Sequence, residues 1–171
     1  MTVLTTERLV LRPFEPSDAP VVQELCSARE IAATTLLIPH PYRLEDAEAF
    51  IRSIESGTEF AVTLAAGTLV GAVALRVEPE NSRAELGYWI GVPFWGNGYA
   101  TEASRAVLDH GFGALGLNRI FALCFAENVG SRRVLERLGM RHEGTLRGHT
   151  LKWGDFRDDE AFGILASDWL G

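Results

Sequence analysis

The spacing of apolar positions changes along the chain, and each change marks an element. Leu9-Val10-Leu11, framed by Arg8 and Arg12, predicts a first strand. Pro16-Ser17-Asp18 predicts a helix start with Ser17 or Asp18 as cap, running to about Ser27. Pro39-His40-Pro41 forces a loop. Ala47, Phe50, Ile51 and Ile54 then recur at helical spacing, and Gly57 is the stop signal. Strands are expected at about 59–64 and 69–77, with Ala66-Gly67 as the hairpin between them. Glu78-Pro79-Glu80-Asn81 turns the chain into a strand at 84–92. A loop at 93–98, a helix at 99–115, a strand at 119–125 and a helix at 129–138 closed by Gly139 follow. The tail reads as strands at 141–150 and 159–166 across Trp153-Gly154-Asp155. This order predicts an α/β (α+β) fold, a mixed sheet with helices on its faces.

The strand at 84–92 has two unlike faces. Ala84, Leu86, Tyr88, Ile90 and Val92 form an apolar face. Glu85, Gly87, Trp89 and Gly91 form the other. Glycines inside a strand often mark the close approach of a ligand or another backbone. Glu85 is either a solvated strand carboxylate or part of a site. After the strand, a loop holding Gly96 and Gly98 leads into a helix. Such a loop turns successive amides one way, and the helix start adds unpaired N–H groups and a positive dipole end. It is either a pyrophosphate cradle or an ordinary strand-to-helix turn. It lacks the Gly-Lys-Ser/Thr of a nucleotide P-loop and the third glycine of a dinucleotide fingerprint.

Composition narrows the class. The length of 171 residues fits one domain spanning 1–171. A net charge of −7 disfavours a nucleic-acid partner and suits a cationic one. Cys26 and Cys124 sit among apolar neighbours without metal-ligand spacing, which predicts buried free thiols and a reducing, cytoplasmic setting. No metal is expected. Met1 to Arg8 lacks a signal-peptide pattern, and no apolar run reaches spanning length, so no membrane association is expected.

The loop Trp95-Gly96-Asn97-Gly98-Tyr99-Ala100 resembles the coenzyme A signature of the GNAT acetyltransferase superfamily, [Q/R]-x-x-G-x-[G/A], with Trp95 at the first position instead of Gln or Arg. The extended form through Thr101-Glu102-Ala103 is similar to the RimJ/RimL-like branch, which acetylates protein N-termini and small amines. Three further motifs in order strengthen the resemblance: the opening Leu4–Arg12, the strand Ala84–Ile90, and Glu127–Met140 with its Asn-x-x-Ser. Gly154–Asp158 with Ser167-Asp168-Trp169 resembles the branch's closing segment.

The resemblance implies a mostly antiparallel twisted sheet with helices on both faces and a splayed central strand pair. It implies acetyl-CoA as cosubstrate and a primary amine as acceptor, attacking the thioester directly. Ile90 and Val92 would pair with the pantetheine arm. The amides of Asn97, Gly98, Tyr99, Ala100 and Thr101 would hold the pyrophosphate, and Asn128 the arm or a water. Ser131 would assist the departing thiolate, unless it is a helix-cap serine. Glu85 is the candidate base and His149 the runner-up, with His40 and Tyr42 as candidate pocket residues. Arg105, Arg132 and Arg133 are either coenzyme-phosphate contacts or solvated. A non-catalytic acyl-CoA sensor, another acyl donor, and a monomer or homodimer stay open.

Overall fold

The computed structural model describes residues 2–54 and 57–170; Met1, Glu55, Ser56 and Gly171, including both ends of the expected 1–171 domain, lie outside them. The strands are β1 Leu4–Thr5, β2 Leu9–Arg12, β3 Glu59–Leu64, β4 Leu69–Glu78, β5 Arg83–Ile90, β6 Arg119–Phe125, β7 Arg141–Lys152 and β8 Asp155–Leu165. The helices are α1 Ala19–Cys26, α2 Arg29–Thr34, α3 Leu44–Ser53, α4 Tyr99–Gly113 and α5 Val129–Arg137. One eight-stranded sheet runs β1-β2-β3-β4-β5-β6-β8-β7. Every neighbouring pair is antiparallel except β5–β6.

Apolar side chains leave both faces of the sheet. On one, Leu75, Leu86, Ile120 and Phe162 pack with Val107 and Leu108 of α4 and Leu135 of α5. On the other, Ala61 and Leu69 pack with Val22 and Cys26 of α1, Ile31 of α2, Tyr42, and Ala47 of α3. Burying each large aliphatic side chain contributes about 1.5–3 kcal/mol. The face of β5 read as polar is therefore part packing surface. Trp89 joins the second cluster. A Cβ on Gly91 would stand 2.8 Å from Leu25 Cδ2, so this glycine admits an α1 side chain. At Gly87 the neighbour is the Arg76 guanidinium, 3.7 Å from a Cβ position.

The helix start at 16–18 forms differently from its prediction. Pro16–Asp18 is a 3-10 turn, and Asp18 reaches back to accept the Glu15 amide at 2.8 Å. Its two oxygens also take both Arg12 terminal nitrogens at 2.8 Å. Burial pushes the Asp18 carboxyl up, but these donors outweigh it and hold it below its ordinary value. A depressed carboxylate contributes stability above its unfolded pKa, lost as pH falls through the folded one. Asp18→Asn is therefore expected to lower Tm at neutral pH. The deficit should shrink below about pH 4, where the unfolded carboxyl protonates. Equal deficits at both pH values in thermal melts would contradict this.

Helix α2 escaped the sequence pattern because it buries only Ile31 and Ala32, too few positions to show a period. β8 starts four residues earlier than expected, since Arg157-Asp158-Asp159-Glu160 hides a strand under charge. β5 stops at Ile90 and not Val92, because Pro93 supplies no N–H and residues 92–94 form a 3-10 turn. Among the described residues, no helix is long and apolar enough to cross a membrane.

Candidate functional site

β5 and β6 pair only at Arg83↔Arg119, Ala84↔Ile120 and Glu85↔Phe121. Beyond Glu85, β5 stays on β4 up to Ile90 while β6 stays on β8 up to Phe125. The two strands therefore part, leaving a wedge with an unpaired edge on each side. The Gly91 amide donates to the Val70 carbonyl at 2.8 Å, which fixes the alternation: Leu86, Tyr88 and Ile90 turn their peptide groups into the wedge. The Ile90 carbonyl is taken by the Trp95 indole N–H at 2.5 Å, leaving its amide for the wedge. Thus Trp95, the departure from the signature, ties the loop to the end of β5. Val92 lies past the strand end.

At the open end of the wedge, Gly96 and Gly98 have φ of +79° and +80°, and Gly98 is the residue before α4. The first α4 bond runs from the Glu102 amide to the Gly98 carbonyl, so the amides of Tyr99, Ala100 and Thr101 have no place in the helical ladder. Thr101 Oγ1 is buried without a partner among the described residues. Side chains brace this loop from below. Arg8 donates to the Asn97 carbonyl at 3.0 Å and pairs with Glu102 at 2.6 Å, and Glu102 also accepts from Thr6 at 2.6 Å. Beside it lies an open cleft of about 610 Å³, with Arg8, Gly98, Thr101, Arg105 and Arg137 in its wall. Arg105 faces this cleft, whereas Arg132 pairs with Glu136 and Arg133 is exposed. Free amides, left-handed glycines and an orphan hydroxyl suit a pyrophosphate oxyanion.

Ser131 is not the cap of α5. That role belongs to Asn128, whose Oδ1 accepts the Ser131 amide at 3.0 Å while its Nδ2 donates to the Thr34 carbonyl at 3.4 Å. The Ser131 hydroxyl instead meets the Tyr88 hydroxyl at 2.7 Å. Tyr88 projects from the wedge-lining edge of β5, so the two hydroxyls sit together on the α5 side of the wedge. Burial raises the Tyr88 phenol above its ordinary range, against the lowering effect of the Ser131 bond. It therefore stays protonated at neutral pH. The Cys124 thiol also lies near Ser131, and burial pushes it up to about 11.

The remaining candidates lie apart. Glu85 sits where β5 and β6 still pair, and its Oε2 is 3.4 Å from Arg76 Nη1. It lies three positions before Tyr88, about 10 Å along the strand. His149 is exposed in a bulge of β7, and His40 is exposed in its loop. Tyr42 belongs to the second core cluster. Sequence reasoning missed Tyr88, whose position on an apolar strand face gave no sign that its hydroxyl reaches α5. It also missed Lys152. This lysine is buried, and its ammonium donates to the carbonyls of Thr35 at 2.8 Å and Ile38 at 3.1 Å, pinning the loop after α2 to the β7–β8 hairpin.

Comparison with known proteins gives a consistent result. Residues 8–141 match the family model described as an acetyltransferase (GNAT) domain. The chain is 32% identical over 170 residues to the uncharacterised N-acetyltransferase YnaD of Bacillus subtilis (strain 168), covering 97% of this chain and 98% of that one. A GNAT-family acetyltransferase structure from Bacillus anthracis superposes with a TM-score of 0.90 at 29% identity, over 97% of this chain and 99% of the other. Mycobacterium smegmatis RimJ, solved in complex with CoA-disulfide, gives 0.85 at 25% identity, over 95% and 84%.

Proposed function

Because the chain belongs to the GNAT acetyltransferase family and is an acetyltransferase, we propose that it moves an acetyl group from acetyl-CoA to a primary amine, either a peptide N-terminus or a small molecule, by direct attack within one domain spanning 1–171. The observation that carries this reading is the Ser131–Tyr88 hydroxyl pair on the wall of the β5–β6 wedge, next to the amide cradle of α4. When bound, acetyl-CoA supplies the thioester. The amides of Asn97 to Thr101 hold its pyrophosphate, and the Ile90 amide pairs with its arm. Val92, just past the strand, extends that edge. Asn128 fixes Ser131 by capping α5 and reaches the arm through water. Ser131 hydrogen-bonds the departing sulfur, Tyr88 stays protonated by burial and donates to the Ser131 oxygen, and the thiol takes the proton that the attacking amine releases on forming the amide.

The incoming amine is a cation in water and must lose a proton before attack. Glu85 is the base proposed for that step, acting through water from the inner end of the wedge, with Arg76 fixing its orientation. Glu85→Gln keeps the shape and removes the base. The acidic limb of the kcat/KM pH profile is expected to flatten in this variant. An unmoved limb, with His149→Ala moving it, would assign the base to His149.

The acceptor class is tested by thiol release from acetyl-CoA against N-terminal peptides and small amines at low and high salt. Turnover with either class, faster at low salt, is the expected result, because a net charge of −7 attracts cations through a field that salt screens. Activity confined to hydroxyl acceptors contradicts the proposal.

A further inference from the structure

Lys152 is the only lysine in the sequence, and it is buried on the β7–β8 hairpin. Its ammonium donates to the carbonyls of Thr35 at 2.8 Å, Ile38 at 3.1 Å and Leu36 at 3.4 Å, with no carboxylate partner among the described residues. Burying a cation against carbonyls alone is costly compared with an apolar side chain of the same length. Carbonyls converging on one point suit a compact ammonium with three donors, and not a planar guanidinium. The side chain is therefore matched to holding this loop, at a cost that packing alone does not explain.

The loop it holds is one part of a closed ring at the end of β6. Thr150 lies opposite Arg157 and two residues before Lys152, so Lys152 and Arg157 project from the same face of the hairpin. Arg157 pairs with Glu127 in the turn between β6 and α5, and the Ala126 amide donates to the Asp158 carbonyl at 2.9 Å. The hairpin thus grips both the turn and the loop. Asn128 joins those two to each other, because its Nδ2 donates to the Thr34 carbonyl at 3.4 Å, one residue before the first carbonyl that Lys152 holds. That bond is long, so it depends on the loop being kept in place. The other end of the same amide is the α5 cap, with Oδ1 accepting the Ser131 amide at 3.0 Å. An amide bound at both ends keeps one orientation. Released at Nδ2, it is free to turn away from Ser131.

We propose that Lys152 is a positioning residue for acetyl transfer: by holding the loop at 35–38 it keeps Thr34 against Asn128, and so fixes the Ser131 hydroxyl where the sulfur departs. This rests on the acetyl-transfer reading. Lys152 touches no reacting atom and acts only through Asn128 and Ser131.

The test combines kinetics with amide hydrogen exchange. Lys152→Met is expected to lower kcat about three- to tenfold, less than loss of Ser131 itself, with the KM for acetyl-CoA unchanged. The two losses should not add: in a Ser131→Ala background, Lys152→Met should lower kcat no further. The Ser131 amide should exchange about three- to tenfold faster in Lys152→Met, while the amides of the β6–β8 ladder keep their protection. Lys152→Arg keeps the charge but loses the three-point geometry. It should show the same pattern more weakly, and it decides the matter if the methionine variant does not fold. Additive losses of kcat, an unchanged Ser131 exchange rate, or exchange raised equally throughout the sheet overturns the proposal and leaves Lys152 a stability residue. A wild type that releases no thiol with any amine counts against the transfer reading, and the exchange rates still decide whether Lys152 governs the α5 cap.

Discussion

Ser131→Ala is expected to lower kcat by about ten- to a hundredfold while changing the KM for acetyl-CoA little. The Ser131 hydroxyl touches Tyr88 at 2.7 Å, and Asn128 supplies the cap that α5 needs. Removing the hydroxyl therefore costs no helix cap. What it removes is a donor whose bond strengthens as charge develops on the sulfur, an interaction made more in the transition state than in the ground state. Tyr88→Phe should show the same pattern more weakly, because Ser131 remains in place. Steady-state kinetics and a thermal melt on each variant separate the possibilities. Normal turnover with a lower Tm would make Ser131 a packing residue.

Gly98→Val is expected to weaken CoA binding by about tenfold or more in calorimetry, with the fold retained. Gly98 has φ +80°, a region that costs an L-residue roughly 1–2 kcal/mol and a β-branched one more. A Cβ there would already stand 3.5 Å from Arg8 Nη2, so the valine methyls press on the arginine that ties Asn97 to Glu102. The backbone must then rotate, and the amides after it lose their common direction. Unchanged affinity would remove the pyrophosphate from this loop.

The sequence carried the outline well where one element has one job. The strand at 119–125 and the hairpin around Ala66-Gly67 are read from local pattern, and the structure forms both as expected. The two-glycine loop was legible because a left-handed backbone at Gly96 and Gly98 demands glycine. The long-range contacts that assemble the site were not legible, even where one partner, such as Ser131, was already a candidate. Tyr88 and Ser131 are 43 positions apart, and Arg8 and Glu102 are 94 apart. Only the closed sheet brings them together. Lys152 and Asp159 look like surface charge in a charged hairpin, yet both are buried. Lys152 is buried where its ammonium meets the carbonyls of the loop at 35–38, and no periodicity announces that. Trp95 shows the reverse case. It departs from the signature in sequence, and in space it closes the end of β5 through the Ile90 carbonyl.

Direct attack distinguishes this account from one in which the chain itself is acetylated first. Cys124 lies near Ser131, so a covalent route has a nucleophile within the same wall, although burial raises its thiol to about 11 and keeps it protonated. Rapid-quench measurement of CoA release from acetyl-CoA without any amine, at enzyme concentrations near those of the cosubstrate, decides between them. The account predicts no burst, with release beginning only when an amine is added and N-acetyl product forming in equal amount. A burst approaching one CoA per chain, with the acetyl group left on the protein, would contradict it.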